Sequence, residues 1–161
     1  MEQLKQLSIE KAAQCIKRAQ SILNMEFELP VISFNQRGKI AGTARLQSWE
    51  VRLNPILLQE NQQPFIDEVI PHEIAHLITF KLYGRVKPHG KEWQGVMNQL
   101  FNLPAKTTHS FNISSLQGKT FDYQCSCQTH HLTVRRHNRV VRQQARYLCQ
   151  RCKQPLSPLP I

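Results

Sequence analysis

The stretch His72-Glu73-Ile74-Ala75-His76 places two imidazoles and one carboxylate close together in the chain. Residues four apart on an α-helix lie on the same face, so His72 and His76 can bind one ion. Two imidazoles leave Zn²⁺ short of a third protein ligand and an open position, and an open position distinguishes a catalytic site from a structural one. Zinc acidifies a water molecule at that position, and Glu73 can then take its proton. The stretch therefore predicts a hydrolytic zinc site.

The residues around this stretch predict one helix over 63–84, with Pro64 near its start and Gly84 as its stop. Its core-facing stripe consists of Ile66, Ile70, Ile74 and Ile78. Pro71 lies inside the helix and removes one hydrogen bond, so we expect a kink next to His72.

The third zinc ligand has to come from downstream. His89 is the leading choice, because it lies in the turn-rich segment Lys87-Pro88-His89-Gly90, just before a second helical pattern over 93–101. A turn can fold His89 back toward the first helix. Glu92, which would give a two-histidine, one-carboxylate set, and His109 are the alternatives.

The rest of the core predicts an α+β fold. Residues 8–25 show helical periodicity, with Cys15 on the apolar face as a small buried hydrophobe. Residues 31–34 and 50–53 are typical of strands, and they flank a glycine-bearing segment as two separate strands or a hairpin would. A free sheet edge beside the zinc helix could hold an extended substrate through main-chain hydrogen bonds, and either strand is a possible edge.

Four further cysteines form two close pairs, Cys125 with Cys127 and Cys149 with Cys152. The two-residue gap of the second pair lets a turn aim both sulfurs at one tetrahedral ion. The first pair is one residue tighter, which leaves open a ligand set in which His130 replaces one thiol. We expect a structural zinc held by the four cysteines, with disulfides as the alternative.

Positive charge is concentrated toward the end of the chain. Of 21 Lys and Arg residues, eight fall from Lys119 onward, against the single acid Asp122. Five arginines lie between the cysteine pairs: Arg135, Arg136, Arg139, Arg142 and Arg146. Tyr123 and Tyr147 flank them, a mix suited to phosphate contacts and base stacking. We expect DNA or RNA as a partner, the alternative being a solvated basic face.

The length allows one core, residues 1–116, and one appendage, residues 117–161, that is too small to fold without its metal. No apolar run approaches the roughly twenty residues that cross a bilayer, and no apolar signal segment opens the chain. We therefore expect a cytoplasmic protein in a reducing compartment, with no membrane partner.

The stretch Asp67-Glu68-Val69-Ile70-Pro71-His72-Glu73-Ile74-Ala75-His76, followed by Pro88-His89-Gly90-Lys91-Glu92-Trp93, resembles the SprT family. The resemblance covers nearly the whole chain. It implies a zincin-like metallopeptidase core followed by a zinc ribbon, with His72, His76 and His89 as ligands and Glu73 as the catalytic residue. The core of that family is similar to the eukaryotic Spartan proteases, which cleave proteins cross-linked to DNA. In the family's ribbon a glycine usually follows the first cysteine pair, whereas Gln128 follows it here.

Three classes of function are consistent with these patterns. The first is a zinc-dependent metallopeptidase that acts on DNA-associated or DNA-cross-linked proteins, with Tyr83 or His109 stabilising the oxyanion. The second is a non-enzymatic nucleic-acid-binding regulator whose function lies in its zinc ribbon. The third is a structural zinc protein with neither activity.

Overall fold

The computed structural model describes residues 1–160. The chain divides into two compact units, Met1–Ile113 and a second unit that begins at Ser114. The division lies ahead of the short 3₁₀ helix Ser114–Leu116, whereas the predicted boundary follows residue 116. Each unit combines helices with one three-stranded sheet, which gives the α+β class. Within residues 1–160 no helix has the length and apolar character needed to span a membrane.

Two long helices, α1 (Glu2–Leu23) and α2 (Pro55–Tyr83), pack together in the first unit. α1 begins earlier than the sequence pattern predicts, and Cys15 on it is buried as expected. α2 begins at Asn54, whose side chain accepts hydrogen bonds from the N–H groups of Ile56 and Leu57. All four isoleucines of the predicted stripe are buried, so the zinc helix faces the core as expected.

The interruption in α2 lies at Gln62 and not beside Pro71. Gln62 has φ 45° and ψ −119°, which are the only non-helical dihedral angles in the span. Pro64 follows closely, and a break ahead of it places its missing N–H in the first turn of a new segment, where no partner is needed. Pro71 is buried within helical backbone. The kink predicted next to His72 is therefore replaced by a break ahead of it.

The first sheet has the strand order β1-β3-β2, with β1 at Val31–Ser33, β2 at Gly42–Arg45 and β3 at Glu50–Leu53. The first and last of these are the two predicted strands, and because β1 and β3 are parallel they are not a hairpin, the other arrangement that the sequence left open. The hairpin is instead β2 with β3. Sequence reasoning missed β2 because it is short and lacks the alternating apolar residues that signal a strand. β1 and β2 are the two edges of the sheet.

The second predicted helical pattern is present as α3 (Lys91–Gly95), which continues into one π-helical turn, Val96–Leu100. Trp93, Val96, Met97 and Leu100 on this segment are buried. The Arg18 guanidinium of α1 donates to the Leu100 carbonyl oxygen at 2.7 Å, which ties the end of the segment to the helical core.

The second unit is a small antiparallel sheet of order β5-β4-β6, with β4 at Thr120–Gln124, β5 at Thr129–Thr133 and β6 at Ser157–Pro158. Helix α4 (Val134–Val141) follows β5 directly. Among the described residues of this second unit, the buried apolar side chains are only those of Tyr123, Leu132 and Cys149. So small a core needs a further source of stability, such as a metal.

Candidate functional site

Three histidines from two neighbouring parts of the first unit meet at one point. His72 and His76 lie one turn apart on α2, and His89 lies in the turn between α2 and α3. Their Nε2 atoms are separated by 3.2 Å (His72 to His76), 3.1 Å (His76 to His89) and 2.9 Å (His72 to His89). The structure thus brings together the three residues expected to bind the metal.

This donor set fits a zinc ion. Nitrogen ligands about 2.0 Å from a tetrahedral Zn²⁺ lie about 3.3 Å from one another, close to the spacing of the three Nε2 atoms. A neutral imidazole nitrogen carries either one hydrogen or one lone pair, so three such atoms cannot satisfy one another by hydrogen bonds. A cation at their centre accepts all three lone pairs.

Burial keeps these imidazoles neutral, as metal ligands must be. Burial and the neighbouring His89 lower the pKa of His72 to about 4. Burial and the two other imidazoles lower the pKa of His76 to about 3, and burial also lowers the pKa of His89. The Lys106 backbone carbonyl, which faces the His72 ring as an acceptor, partly opposes the lowering of the His72 pKa.

A tight turn holds His89 in place. The Gly90 N–H donates to the Lys87 carbonyl oxygen at 3.0 Å, with Pro88 and His89 between them. His89 has φ 59°, the left-handed conformation that the third residue of a type II turn requires and that costs a non-glycine residue about 1 kcal/mol. A Cβ on Gly90 would lie 2.9 Å from the Lys87 carbonyl oxygen, so a glycine is needed there. The turn predicted to fold His89 back is present.

The alternative ligands do not join the cluster. Among the described residues the histidine group that could hold an ion contains only His72, His76 and His89. Glu92 lies instead in a separate groove with Tyr83 and Lys91. His109 stacks on Phe111, with ring centroids 4.5 Å apart.

Trp93 forms the floor beneath the three imidazoles. Its side chain is fully buried, and its ring centroid lies 4.8 Å from that of His72, 5.4 Å from His76 and 4.7 Å from His89. Sequence reasoning treated Trp93 only as part of an apolar helical pattern. Its contact with all three ligands could not be read from spacing alone, because it depends on how α3 packs against α2.

Glu73 is buried beside β2, on the strand side of α2. Its exposed fraction is 7%. Burial raises the pKa of Glu73 to about 7, although the Ala44 N–H donates to the carboxylate and opposes the shift. A Cβ on Gly42 would lie 2.9 Å from Val69 and 3.0 Å from the Glu73 Cγ. The absence of a side chain at Gly42 therefore lets the carboxylate approach the strand.

The open side of β2 faces this carboxylate. The Ala41 carbonyl accepts a hydrogen bond from the Asn54 N–H at 2.8 Å, so Ala41 points toward β3. Backbone groups of alternate residues in an antiparallel strand point the same way, so Gly42 and Ala44 direct theirs to the open edge. β2 is thus the free edge next to the site, a role that the sequence left unassigned.

A cavity of about 600 Å³ opens next to His72 and Glu73. His109 lines it, so the structure brings this candidate for the oxyanion donor to the cavity. Tyr83, the other residue considered for that role, is 56% exposed at the end of α2 and lies in the separate groove with Glu92. The structure does not bring Tyr83 to the site.

The second unit contains the other group of residues that could hold a metal ion. The sulfurs of Cys125, Cys127, Cys149 and Cys152 all lie within 4.8 Å of one another. Two of the separations are 3.6 Å (Cys125 to Cys127) and 3.8 Å (Cys127 to Cys149), close to the spacing of about 3.8 Å that four thiolates 2.3 Å from a tetrahedral zinc would have. All five cysteines of the chain are free thiols, so the disulfide alternative is wrong.

Hydrogen-bond donors surround this thiol cluster. The N–H of Cys152 and the side-chain amide of Gln128 donate to the Cys149 sulfur, and they lower the pKa of Cys149 to about 5. His130 lies with its Nε2 atom 3.2 Å from the Cys125 sulfur. His130 therefore contacts one of the four ligands, and Cys125 keeps its place among them.

The five arginines are all exposed. Three lie on α4, Arg142 caps it, and Arg146 follows. Arg135, Arg139 and Arg142 recur at i, i+4 and i+7, so they share one face. The expected base-stacking role of Tyr123 is wrong, because its ring is fully buried and its hydroxyl lies 2.9 Å from His137. Tyr147 is half-buried, with the Arg136 guanidinium 5.5 Å from its ring centroid.

Comparison with known proteins identifies the family to which the chain belongs. Residues 12–109 match the SprT-like family, and residues 119–159 match the SprT-like zinc ribbon domain. Protein SprT of Vibrio parahaemolyticus is 57% identical over 143 residues, which cover 89% of this chain and 87% of that protein. Protein SprT of Pectobacterium atrosepticum is 55% identical over 88% of this chain and 83% of its own length. No solved structure matches. The chain therefore belongs to the SprT-like family, and it carries the zinc ribbon of that family at its C-terminal end.

Proposed function

We propose that this protein is a zinc-dependent peptidase with a zincin-like core that acts on proteins bound or cross-linked to DNA. The observation that carries the proposal is the convergence of three Nε2 atoms within 3.2 Å of one another, with a buried carboxylate on the same helix and an open strand edge beside it. A structural metal site would need neither the carboxylate nor the free edge.

His72, His76 and His89 would hold the catalytic ion. Zinc bound there would supply a Lewis acid that polarises the scissile carbonyl and makes water a better nucleophile. The Glu73 carboxylate takes the proton of the attacking water and passes it to the departing amine. The Ala44 N–H holds that carboxylate in place. His109, on the wall of the cavity, is positioned to donate to the developing oxyanion.

The open edge of β2 would position the substrate. An extended peptide can pair with the backbone groups of Gly42 and with the Ala44 carbonyl, which holds its scissile bond level with Glu73. A folded domain cannot supply an unpaired strand, so we expect cleavage in extended or locally unfolded segments.

The second unit would bring the enzyme to nucleic acid. From Ser114 onward the chain has eight Lys and Arg residues against one acid, and the five arginines named above are exposed. A second, structural zinc held by the four cysteines would stabilise this unit. Four thiolates bound to a metal and no disulfide are also consistent with a cytoplasmic protein.

The deciding experiment offers the zinc-loaded protein a substrate cross-linked to single-stranded DNA. Wild type is compared with Glu73→Gln and with Glu60→Gln, a matched change at an exposed position of the same helix. We expect wild type and Glu60→Gln to cleave, and Glu73→Gln to lose at least about a hundredfold in rate while it keeps its zinc. Cleavage by Glu73→Gln at the wild-type rate would refute the mechanism.

A non-enzymatic nucleic-acid-binding regulator is the second candidate, and the charge of the second unit is the observation that favours it. This alternative predicts that the protein binds two zinc ions and DNA but cleaves no cross-linked substrate. The same experiment therefore separates the two functions.

A further inference from the structure

The cavity beside Glu73 extends beyond His72, Glu73 and His109, the lining residues that the proposed mechanism uses. Its walls come from the segment leading into β2, from the first half of the zinc helix, from Met97, and from residues 103–109. Its volume, about 600 Å³, lies in the usual range for a ligand pocket.

We infer that this cavity binds a large apolar side chain of the substrate, the one that directly follows the scissile bond. The inference rests on the proposed peptidase function, and it names the class of peptide that the site accepts.

The direction of β2 indicates that the cavity receives the side chain that follows the scissile bond. Antiparallel pairing is the commoner and slightly more stable arrangement, and a peptide paired in this way with β2 runs from Arg45 toward Gly42. Glu73 contacts β2 at Gly42 and Ala44, which marks the level of the scissile bond. The cavity is lined by residues 39–42, at the end toward which the peptide leaves.

The chemistry of the walls selects an apolar side chain. Val69 and Met97 are 5% and 4% exposed, and Leu103 adds a further apolar surface. Apart from Glu73, the charged lining residues are two acids and two lysines, namely Asp67, Glu68, Lys39 and Lys106, and all four are exposed. The Asp67 carboxylate already bonds to Lys11 and Gln63. Neither sign of charge is therefore preferred, and burial against Val69 and Met97 favours Leu, Met or Phe over Gly or Lys.

Two readouts test this assignment. In the first, zinc-loaded wild type digests a pool of peptides, and both sides of every cut are sequenced. In the second, labelled tetrapeptides that begin with Leu, Phe, Lys or Gly are titrated by fluorescence anisotropy into zinc-loaded Glu73→Gln, which binds without cleaving. We expect cuts before Leu, Met and Phe, and binding of the Leu and Phe peptides at least about tenfold tighter than that of the Gly peptide.

Variants of one wall residue link the preference to the cavity. Leu103→Trp fills the cavity and should weaken the binding of the Leu and Phe peptides about tenfold, while the affinity for the Gly peptide stays the same. Leu103→Ala widens it and should shift the preference from Leu toward Phe and Trp. Leu29→Trp, at a leucine that is 66% exposed and outside the cavity lining, should behave as wild type.

The outcomes separate the two proposals. No cleavage together with preferential binding of Leu and Phe peptides would end the peptidase proposal and keep the apolar cavity. Cleavage with no preference, with a preference for Lys, or with selection only of the residue before the cut would overturn the assignment of the cavity. If the protein showed no cleavage and no preferential binding, both proposals would be refuted.

Discussion

The indole N–H of Trp93 donates to the backbone carbonyl oxygen of His72 at 3.3 Å, while the same ring lies against the imidazoles of all three metal-binding residues. One side chain thereby holds both the backbone and the side chain of the first ligand. Loss of a group that orients a metal ligand typically lowers metal affinity or activity by about tenfold to a hundredfold.

We predict that Trp93→Phe weakens zinc binding at the histidine site about tenfold to a hundredfold, because it keeps a ring in the core but loses the N–H. Competition with a chromophoric chelator measures this, and the cysteine site serves as an internal reference. Trp49→Phe is the control, since the Trp49 indole also donates to a backbone carbonyl, that of Glu28 at 2.8 Å, but does so away from the site. Equal zinc affinity in both variants would contradict the prediction.

Gly42→Ala should lower the turnover number about tenfold to a hundredfold without loss of zinc, because the added methyl group displaces the Glu73 carboxylate. The assay combines peptide cleavage with zinc content by atomic emission. Gly95→Ala is the matched change, since a Cβ there meets no atom within 4 Å, and we expect it to keep full activity. If the two variants had the same activity, the contact between Gly42 and Glu73 would not matter.

The thiols should react in two classes. Burial raises the pKa of Cys15 to about 11, so Cys15 carries almost no reactive thiolate at pH 8. We expect no labelling by iodoacetamide in the zinc-loaded protein, four labels per chain after chelation, and the fifth only in denaturant, counted by mass spectrometry. Above pH 10, close to its raised pKa, the Cys15 thiol should begin to lose its proton. Labelling of Cys15 along with the other four would disprove the separation.

His130 should be dispensable for the second zinc. Because its ring contacts the Cys125 sulfur and stays outside the group of four sulfurs, His130→Ala should keep two zinc ions per chain, with a modest loss of affinity. Cys125→Ser should reduce the count to one. The reverse result would assign the ligand role to His130.

Binding of single-stranded DNA should weaken steeply with salt. Replacing Arg135, Arg136 and Arg139 by Gln should reduce the slope of log affinity against log salt by about one for each phosphate that the protein no longer binds. Removing the same charge from the first unit, at Lys17, Arg37 and Arg85, should leave the slope unchanged. Identical slopes in both triple variants would exclude α4 as the DNA-binding surface.

Local patterns predicted much of this molecule. Periodicity predicted that His72 and His76 lie together on a helix and that an isoleucine stripe is buried, and turn chemistry predicted that His89 folds back toward them. All three features involve residues close in sequence, and all are present. The four-cysteine group follows in the same way from the spacing of its pairs.

The features that could not be predicted depend on packing between distant residues. β2 carries too few apolar residues to be recognised from its sequence, and only its pairing with β3 makes it a strand. The break in α2 falls at Gln62, ahead of Pro64, and not beside Pro71, and a propensity scale does not tell which of two prolines in one helix interrupts it. The burial of Tyr123 depends on how β4 is covered, so its exposure could not be judged from its position between charged residues.

The contacts that build the histidine site differ in how far apart their residues lie along the chain. His72 and His89 are 17 positions apart, whereas Glu73 meets Gly42 across a longer loop, which closes when the sheet docks on α2. Closing a short loop costs less entropy than closing a long one. On the proposed mechanism, a chain whose sheet has not yet docked on α2 can already gather its three imidazoles but has no aligned base.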